Sequence, residues 1–277
     1  ASLLDGRDIP AAEHNVVPSS VDQRPIDTWI VRPPGFDASR RYPMLLEIHG
    51  GPTSAYGPAF TSEIQMYAAA GYVVVYSNPR GSTSYGGEFG ALISHNYPSQ
   101  DYDDLMSVVD AAIAMGSIDD KRLYVTGGSG GGVLTAWIVG TTNRFRAAMV
   151  QKPVINWTSE VLSADSTTSM ARYWFGRMPW EDQPLYWSHS PLSRVGNVST
   201  PTGVLVGEQD NRTPHSEAEQ YYQALQLRHV PTRLVLVPGS SHDIAGRPSG
   251  LIAKVAETIA WFAKYGGPAL LDPNTGA

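Results

Sequence analysis

The chain has 277 residues, of which 42% are hydrophobic and 17% charged, and its formal net charge is −6. This length and apolar content suit one large α/β domain or two small ones, and they exclude global disorder. The acidic balance supplies no basic field that would hold nucleic acid or an anionic membrane surface. The absence of cysteine excludes disulfides, thiolate metal sites and a cysteine nucleophile.

The sequence carries no clear targeting or membrane signal. Its longest near-continuous apolar stretch, residues 68–76, is far shorter than the roughly 20 residues that a membrane span requires. Residues 1–10 lack a charged start followed by an apolar run, so they do not indicate a signal peptide. We therefore expect no membrane contact, and we slightly favour a cytoplasmic over a periplasmic location.

Short apolar runs alternate with helical patterns along the chain. Most of these runs are apolar on both faces, which is typical of parallel strands covered by helices on both sides. The first two are more polar, and we expect them at an edge of the sheet. The predicted strands are residues 15–19, 28–32, 44–49, 72–77, 122–126, 147–151, 203–207 and 233–237.

Four helices are predicted. Two lie at residues 104–115 and 251–264, and a third directly follows the glycine-rich run 127–132. The fourth begins at Thr213, which we interpret as an N-cap followed by a first-turn proline. Strand–helix alternation predicts a doubly wound, mostly parallel eight-stranded α/β sheet in a single domain, residues 1–277. We interpret residues 1–23 as a lead-in segment, and we expect residues 267–277 to form a flexible tail.

One long segment breaks this alternation. Residues 152–201 lie between two predicted strands, exceed ordinary loop length and are rich in Trp and Tyr. We predict helical excursions over the carboxyl ends of the strands, where such folds bind ligands. The alternative, which fits most of these rings better, is a small secondary core.

The strongest chemical signal is the G-x-S-x-G run of residues 127–131, centred on Ser129 and placed between an apolar strand and an apolar helix. A nucleophile elbow requires this context, because the sharp turn tolerates only small flanking residues. A P-loop is excluded because Val133 and Leu134 stand where Lys and Ser/Thr are needed, and Val133 also breaks a dinucleotide-binding pattern. A glycine-rich turn that merely packs a helix closely on a strand remains the alternative.

A second glycine-rich loop, residues 49–52, directly follows the strand at 44–49. In this fold such a loop supplies one of the two backbone N–H donors that hold the oxyanion. We assign the donors to Gly51 and Gly130. His49 is interpreted as the anchor of the loop, in preference to a general base.

The general acid–base partners should follow the serine in the order Asp or Glu, then His. Asp210 lies at the carboxyl end of one strand, and His242 lies on the loop after the last strand. Glu208 and Asp243 are rival acids, and spacing favours Asp210 without deciding between them. The other histidines, at positions 14, 95, 189, 215 and 229, are interpreted as structural or solvated. We see no metal-ligand spacing and predict no metal and no organic cofactor.

Together these motifs resemble the catalytic domain of the prolyl oligopeptidase family (S9 serine peptidases), nearest its acylaminoacyl-peptidase branch. The similarity runs from about residue 24 to residue 266. It includes the segments Trp29–Phe36, Tyr42–Pro52 and Gly71–Phe89, within which the Asn-Pro-Arg-Gly-Ser stretch at 78–82 is the most specific.

The resemblance implies an α/β-hydrolase fold and a triad of Ser129, Asp210 and His242. It also implies that Arg212 clamps a substrate backbone carbonyl, with a surface ion pair as the weaker interpretation. Trp157 and Val154 correspond to the apolar pocket wall. The chain departs from the family in having Gly130 where Tyr often follows the nucleophile, which removes an aromatic ring from the pocket and leaves the elbow more flexible.

We therefore expect a serine peptidase that hydrolyses amide bonds of short peptides through an acyl-enzyme intermediate. A carboxylesterase with the same triad is the nearest alternative, and a non-catalytic α/β-hydrolase-like interaction module is the second. Long members of the family also carry an N-terminal β-propeller, which these 277 residues do not include. The expected partners are a short peptide substrate and a β-propeller of the same parent polypeptide.

Overall fold

The computed structural model of the chain describes Gly6 and residues 8–268, apart from the side chains of Thr167 and Thr168. Residues 1–5 and 7 of the expected lead-in, and residues 269–277 of the expected tail, lie outside the described residues. The strands are β1 (Glu13–Pro18), β2 (Pro25–Val31), β3 (Tyr42–Ile48), β4 (Val73–Ser77), β5 (Ile118–Gly128), β6 (Ala147–Gln151), β7 (Thr202–Gly207) and β8 (Thr232–Val237).

The strands form one sheet in the order β1-β2-β4-β3-β5-β6-β7-β8. Pairing is antiparallel between β1 and β2 and between β2 and β4, and it is parallel from β4 to β8. The predicted mostly parallel eight-stranded sheet is confirmed. The expectation for β2 was wrong, because β1 occupies the edge and leaves β2 inside the sheet with five of its seven residues buried.

Helices cover both faces of this sheet. They are α1 (Ser62–Ala69), α2 (Gly86–Ala91), α3 (Asp101–Ala114), α4 (Gly130–Val139), α5 (Trp157–Ser163), α6 (Thr167–Met170), α7 (Gln183–His189), α8 (His215–Leu227) and α9 (Pro248–Ala263). Shorter helical turns lie at Ala171–Phe175, Pro191–Asn197 and Ile244–Gly246. Among the described residues, no helix is both long and apolar enough to cross a membrane.

Alternate residues of the central strands enter two separate cores, because successive side chains of a strand point to opposite faces. On β3, Leu46 and Ile48 pack in the core that includes α3, α4 and α8. Leu45, between them, packs in the core that includes α1 and α9. The hydrophobic runs of the central strands therefore reflect burial on both faces.

Aromatic rings of the long segment 152–201 extend one of these two cores. Phe175 and Tyr186 are buried and stack with ring centroids 4.0 Å apart. Tyr173 and Trp180 of the same segment are largely exposed. The buried rings of the segment thus join the core that includes α3, α4 and α8 and do not form the separate secondary core considered above.

Candidate active site

Ser129 occupies a strained turn between the end of β5 and the start of α4. Its φ of 59° and ψ of −119° lie outside the regions that residues with a side chain usually adopt. The flanking glycines are required by space, since a Cβ at Gly127 would lie 2.6 Å from the carbonyl oxygen of Ile48 and one at Gly131 would overlap the same atom. The turn therefore presents Ser129 in the manner of a nucleophile elbow.

The loop at residues 49–52 packs directly against this turn. A Cβ placed on Gly50 would lie 3.3 Å from Cβ of Ser129, and one placed on Gly130 would lie 3.2 Å from N of Gly51. Gly51 has a φ of +114°, which residues with a side chain rarely adopt. Within the described residues, the N–H groups of Gly51 and Gly130 have no hydrogen-bond acceptor. Both are therefore free to donate to an oxyanion beside Ser129.

His49 holds this loop from behind. Its Nδ1 donates to the carbonyl oxygen of Gly50 at 2.7 Å, and its Nε2 lies 3.0 Å from Oγ of Ser82. The ring is buried, and this burial lowers the pKa of His49. With both ring nitrogens occupied, His49 has the geometry of an anchor and not that of a general base.

Asp210, which is buried, and His242, which is partly exposed, form an acid–base pair. Nδ1 of His242 lies 2.8 Å from Oδ2 of Asp210, while the backbone N–H groups of Arg212 and Thr213 donate to Oδ1 at 2.9 and 3.0 Å. Burial raises the pKa of Asp210, but the hydrogen bonds from His242 and the backbone outweigh it, so the pKa lies below its ordinary value. Asp210 is thus held as a carboxylate, and Nε2 of His242 remains as the nitrogen that can take a proton.

The rival acids face elsewhere. Glu208 accepts a hydrogen bond from the backbone N–H of Gly239 at 3.0 Å. A Cβ on Gly246 would lie 2.5 Å from Oδ2 of Asp243, so the Asp243 carboxylate turns toward that glycine. Of the three carboxylates that the sequence left open, Asp210 is the one in contact with the imidazole of His242.

Ser129 and His242 line one cavity of about 280 Å³. The residues predicted for the oxyanion hole and for substrate binding also line it, whereas Asp210 lies behind His242. These predicted lining residues are Gly51, Gly130, Val154, Trp157 and Arg212. The structure therefore brings together residues from five separate loops at the carboxyl end of the sheet, as expected for an α/β fold.

Comparison with known proteins identifies the family. Residues 58–268 match the model of the prolyl oligopeptidase family. The chain belongs to this family. It is 42% identical over 243 residues to the uncharacterized peptidase YuxL of Bacillus subtilis. The aligned region covers 87% of this chain and 37% of YuxL. The chain is 32% identical over 231 residues to the acylamino-acid-releasing enzyme of Arabidopsis thaliana. That alignment covers 80% of this chain and 30% of the enzyme.

Solved structures agree with this assignment at the level of the fold. Pyrococcus horikoshii acylaminoacyl peptidase matches with a TM-score of 0.90 at 22% sequence identity, over 98% of this chain and 44% of that one. The α/β-hydrolase fold is thereby confirmed, and the family model confirms the predicted family. The chain spans less than half the length of each of these three proteins.

The most specific family motif, residues 78–82, is structural in this prolyl oligopeptidase family member. Arg80 is buried and donates from Nε and Nη2 to the two carboxylate oxygens of Asp104, each at 2.8 Å. Ser82 supplies the hydroxyl next to His49, and Asn78 donates to the carbonyl oxygen of Tyr56 at 3.0 Å. The motif thus ties α3 to the loop that carries Gly51.

Arg212 is placed as the family resemblance implies, and it also forms the alternative ion pair. Its Nε donates to Oδ1 of Asp165 at 2.5 Å, and both side chains are about half exposed. Its terminal amino groups have no hydrogen-bond partner among the described residues. The ion pair therefore fixes the guanidinium at the cavity without using the groups that would bind a substrate carbonyl.

The aromatic wall of the cavity is larger than the sequence indicated. Trp157 stacks on Trp174 with ring centroids 6.0 Å apart, and Tyr97 meets both rings. Tyr97 also donates from its hydroxyl to the carbonyl oxygen of Gly130 at 2.8 Å. Gly130 itself contributes no aromatic ring, as expected, but Tyr97 lines the cavity beside it, and a Cβ on Gly130 would lie 3.2 Å from N of Gly51.

Thr213 is a site residue that the sequence analysis placed wrongly. The N-cap of α8 is Pro214, and Thr213 precedes it. The Thr213 hydroxyl lies 3.1 Å from the carbonyl oxygen of Lys152, 3.2 Å from Oδ2 of Asp210 and 3.3 Å from Nδ1 of His242. The Thr-Pro pair resembles a helix start, and only the proximity of Asp210, three residues earlier, could have indicated another role. Within residues 8–268, no cluster of His, Asp and Glu side chains could hold a metal ion.

Proposed function

We propose that this chain is the catalytic part of a serine peptidase that cleaves amide bonds of short peptides. The observation that carries the proposal is the Asp210–His242 pair, joined at 2.8 Å, beside a cavity that Ser129 and two backbone N–H groups without an acceptor also line. Hydroxyl, imidazole and carboxylate are the three groups that acyl transfer by a serine requires.

In the proposed reaction, Oγ of Ser129 attacks the scissile carbonyl carbon while Nε2 of His242 takes its proton. The N–H groups of Gly51 and Gly130 donate to the oxygen on which negative charge develops. His242 then gives its proton to the leaving amine, and the C–N bond breaks to leave an acyl-Ser129. A water molecule, deprotonated by His242, attacks the carbonyl carbon of this ester, and His242 returns the proton to Oγ of Ser129 as the ester C–O bond breaks and the acid product leaves. Asp210 stabilises the imidazolium in both halves of the reaction.

The shape of the cavity favours an apolar residue before the scissile bond. Val154 and Trp157, both almost fully buried, form one side of the cavity, and Tyr97 and Trp174 extend it. The free guanidinium end of Arg212 is suited to a carbonyl oxygen one residue further from the bond. This arrangement favours a peptide over a simple ester, since a simple ester offers Arg212 no second carbonyl.

Parallel kinetics on an acyl-alanine anilide and on a nitrophenyl ester test the proposal. We expect the wild-type protein to turn over both substrates, and the Ser129→Ala variant to turn over neither. Ester turnover with no amide turnover at any peptide length would favour a carboxylesterase instead.

We also propose that a separate domain of a longer polypeptide, of the family's β-propeller type, restricts access to this cavity. The greater length of the relatives supports this, as do the exposed aromatic rings of Trp180 and of Tyr173, which precedes the cavity residue Trp174. The test compares this chain alone with its parent polypeptide on short and long peptides. We expect only the isolated chain to cleave the long peptides, and equal length dependence would contradict the proposal.

A further inference from the structure

Lys152 contacts all three loops of the proposed triad. It directly follows β6, and its Nζ donates to the backbone carbonyl oxygen of His242 at 2.9 Å. Its own carbonyl oxygen accepts from the Thr213 hydroxyl at 3.1 Å, on the loop of Asp210. Its side chain runs beneath the nucleophile turn, where a Cβ on Gly128 would lie 2.8 Å from Cε of Lys152.

The backbone of Lys152 is strained, and this strained conformation directs the side chain beneath the nucleophile turn. Its φ is +38°, in the left-handed region that residues with a side chain rarely adopt. The N–H of Lys152 is fixed at 2.6 Å from the carbonyl oxygen of Leu205, on β7. Such strain persists only where the surrounding structure imposes it, and it clusters at functional sites.

The ammonium group is placed among charges from four elements. Burial lowers the pKa of Lys152, and Lys254 on α9 lowers it further, whereas Asp210, Asp243 and Glu63 act in the opposite direction. Placing the ammonium group of a lysine in a partly buried position costs desolvation free energy. This cost indicates that Lys152 has a role beyond a surface contact. Its one hydrogen bond from Nζ among the described residues goes to the carbonyl of His242.

Among the described residues, the backbone on either side of His242 makes few other hydrogen bonds, although the imidazole itself contacts Asp210. Before His242, the carbonyl oxygen of Ser240 accepts from the N–H of Gln209 at 2.9 Å. After it, the N–H of Gly246 donates to the carbonyl oxygen of Asp243. Between these two points, the bond from Lys152 holds the His242 backbone itself.

We propose that Lys152 is a positioning residue for the proposed base, which it acts on through the backbone of His242. The proposal rests on the triad assigned under the proposed function. A displacement of about 1 Å in a reacting group can lower a rate about 100-fold, so a single anchor at this position has a measurable effect on turnover.

The test compares Lys152→Met, which removes the donor but keeps the length of the side chain, with Lys152→Arg, which keeps a cationic donor. Lys254→Met is the matched control, because it removes a second buried ammonium whose partner is Glu63. Turnover of a nitrophenyl ester is measured per active site, together with thermal unfolding. Lys152→Gln replaces Lys152→Met if that variant does not fold, since Gln is too short to reach the His242 carbonyl.

We expect Lys152→Met to lower kcat about 10-fold with KM within twofold of the wild type, and Lys152→Arg to recover most of the loss. Lys254→Met should lower the unfolding temperature and leave kcat close to the wild-type value. Equal kcat in Lys152→Met and the wild type, or an equal loss in Lys152→Arg, would overturn this inference alone. A wild-type protein that hydrolyses no ester would overturn the proposed function, and this inference with it.

Discussion

Oδ2 of Asp210 lies 2.8 Å from Nδ1 of His242, and the Asp210 side chain is fully buried. Because an ionised carboxylate only accepts hydrogen bonds, Nδ1 must carry a proton in this contact. The carboxylate therefore selects the tautomer of His242 in which Nε2 is free to act as a base.

Asp210→Asn is expected to lower kcat for ester hydrolysis about 1,000- to 10,000-fold with little change in folding, because the amide can donate to Nδ1 and favour the wrong tautomer. Steady-state kinetics and circular dichroism check this. Asp243→Asn serves as the control and should stay within a fewfold of the wild type. A loss below tenfold in Asp210→Asn would mean that another carboxylate orients His242.

Arg212→Met is expected to lower kcat/KM for an acylated dipeptide anilide about 10- to 100-fold, mainly through KM, because a charged hydrogen bond to the substrate carbonyl is lost. Hydrolysis of a short acyl ester without that carbonyl should change little. Arg177→Met removes an exposed arginine paired with Asp182 and is the matched control. Equal losses on both substrates would contradict a clamp.

Glu160→Gln is expected to stabilise the protein, and more so at alkaline pH. Both carboxylate oxygens of Glu160 lack a hydrogen-bond partner among the described residues. Burial, reinforced by the Glu217 carboxylate, raises the pKa of Glu160 to about 9. Between about pH 4.3 and pH 9 the folded state therefore retains a proton that the unfolded state has lost, and stability falls as pH rises through this window.

Urea unfolding of the wild type and Glu160→Gln at pH 5 and pH 8 measures this effect. The stabilisation should be larger at pH 8, since glutamine cannot ionise. The exposed Glu219→Gln substitution on α8 should show no such difference. A gain of equal size at both pH values would show that ionisation of Glu160 does not limit stability.

Gly131→Ala is expected to destabilise the fold by about 3 kcal/mol, although alanine favours helices, because the added Cβ would overlap the carbonyl oxygen of Ile48. Gly57→Ala is the control, since nothing lies within 4 Å of its Cβ position. Its effect should stay within about 0.5 kcal/mol. If the urea unfolding midpoint of Gly131→Ala equalled that of the wild type, the close packing of the elbow would be contradicted.

The sheet could be predicted because its strands are apolar on both faces, a pattern that few other structures produce. The largest error is at β5, which begins at Ile118 and not at residue 122. Residues 119–121 are polar, yet they continue the strand, since Ile118 already pairs with Tyr42. Helix α1 was not predicted, because eight residues are too few to show a clear helical period.

Chain order was sufficient to bring Ser129 and His242 to one edge of the sheet, because their loops both follow parallel strands, but it could not choose Asp210 over Glu208 and Asp243, since that choice depends on which way each side chain turns. The catalytic roles of the triad residues remain predictions. The contacts of Thr213 and Lys152 could not be predicted, since they depend on how two loops approach each other in space. In the sequence, a threonine before a proline indicates the start of a helix. The contact between the Thr213 hydroxyl and Asp210 is visible only in the three-dimensional structure.

The most direct test of the central claim is labelling with a fluorophosphonate probe, followed by mass spectrometry of the modified peptide. We expect the wild-type protein to carry one adduct, on Ser129, and the folded His242→Ala variant to react at least about 100-fold more slowly, because no base then activates the hydroxyl. An adduct on a different serine, or equal labelling rates in the wild type and His242→Ala, would contradict the account.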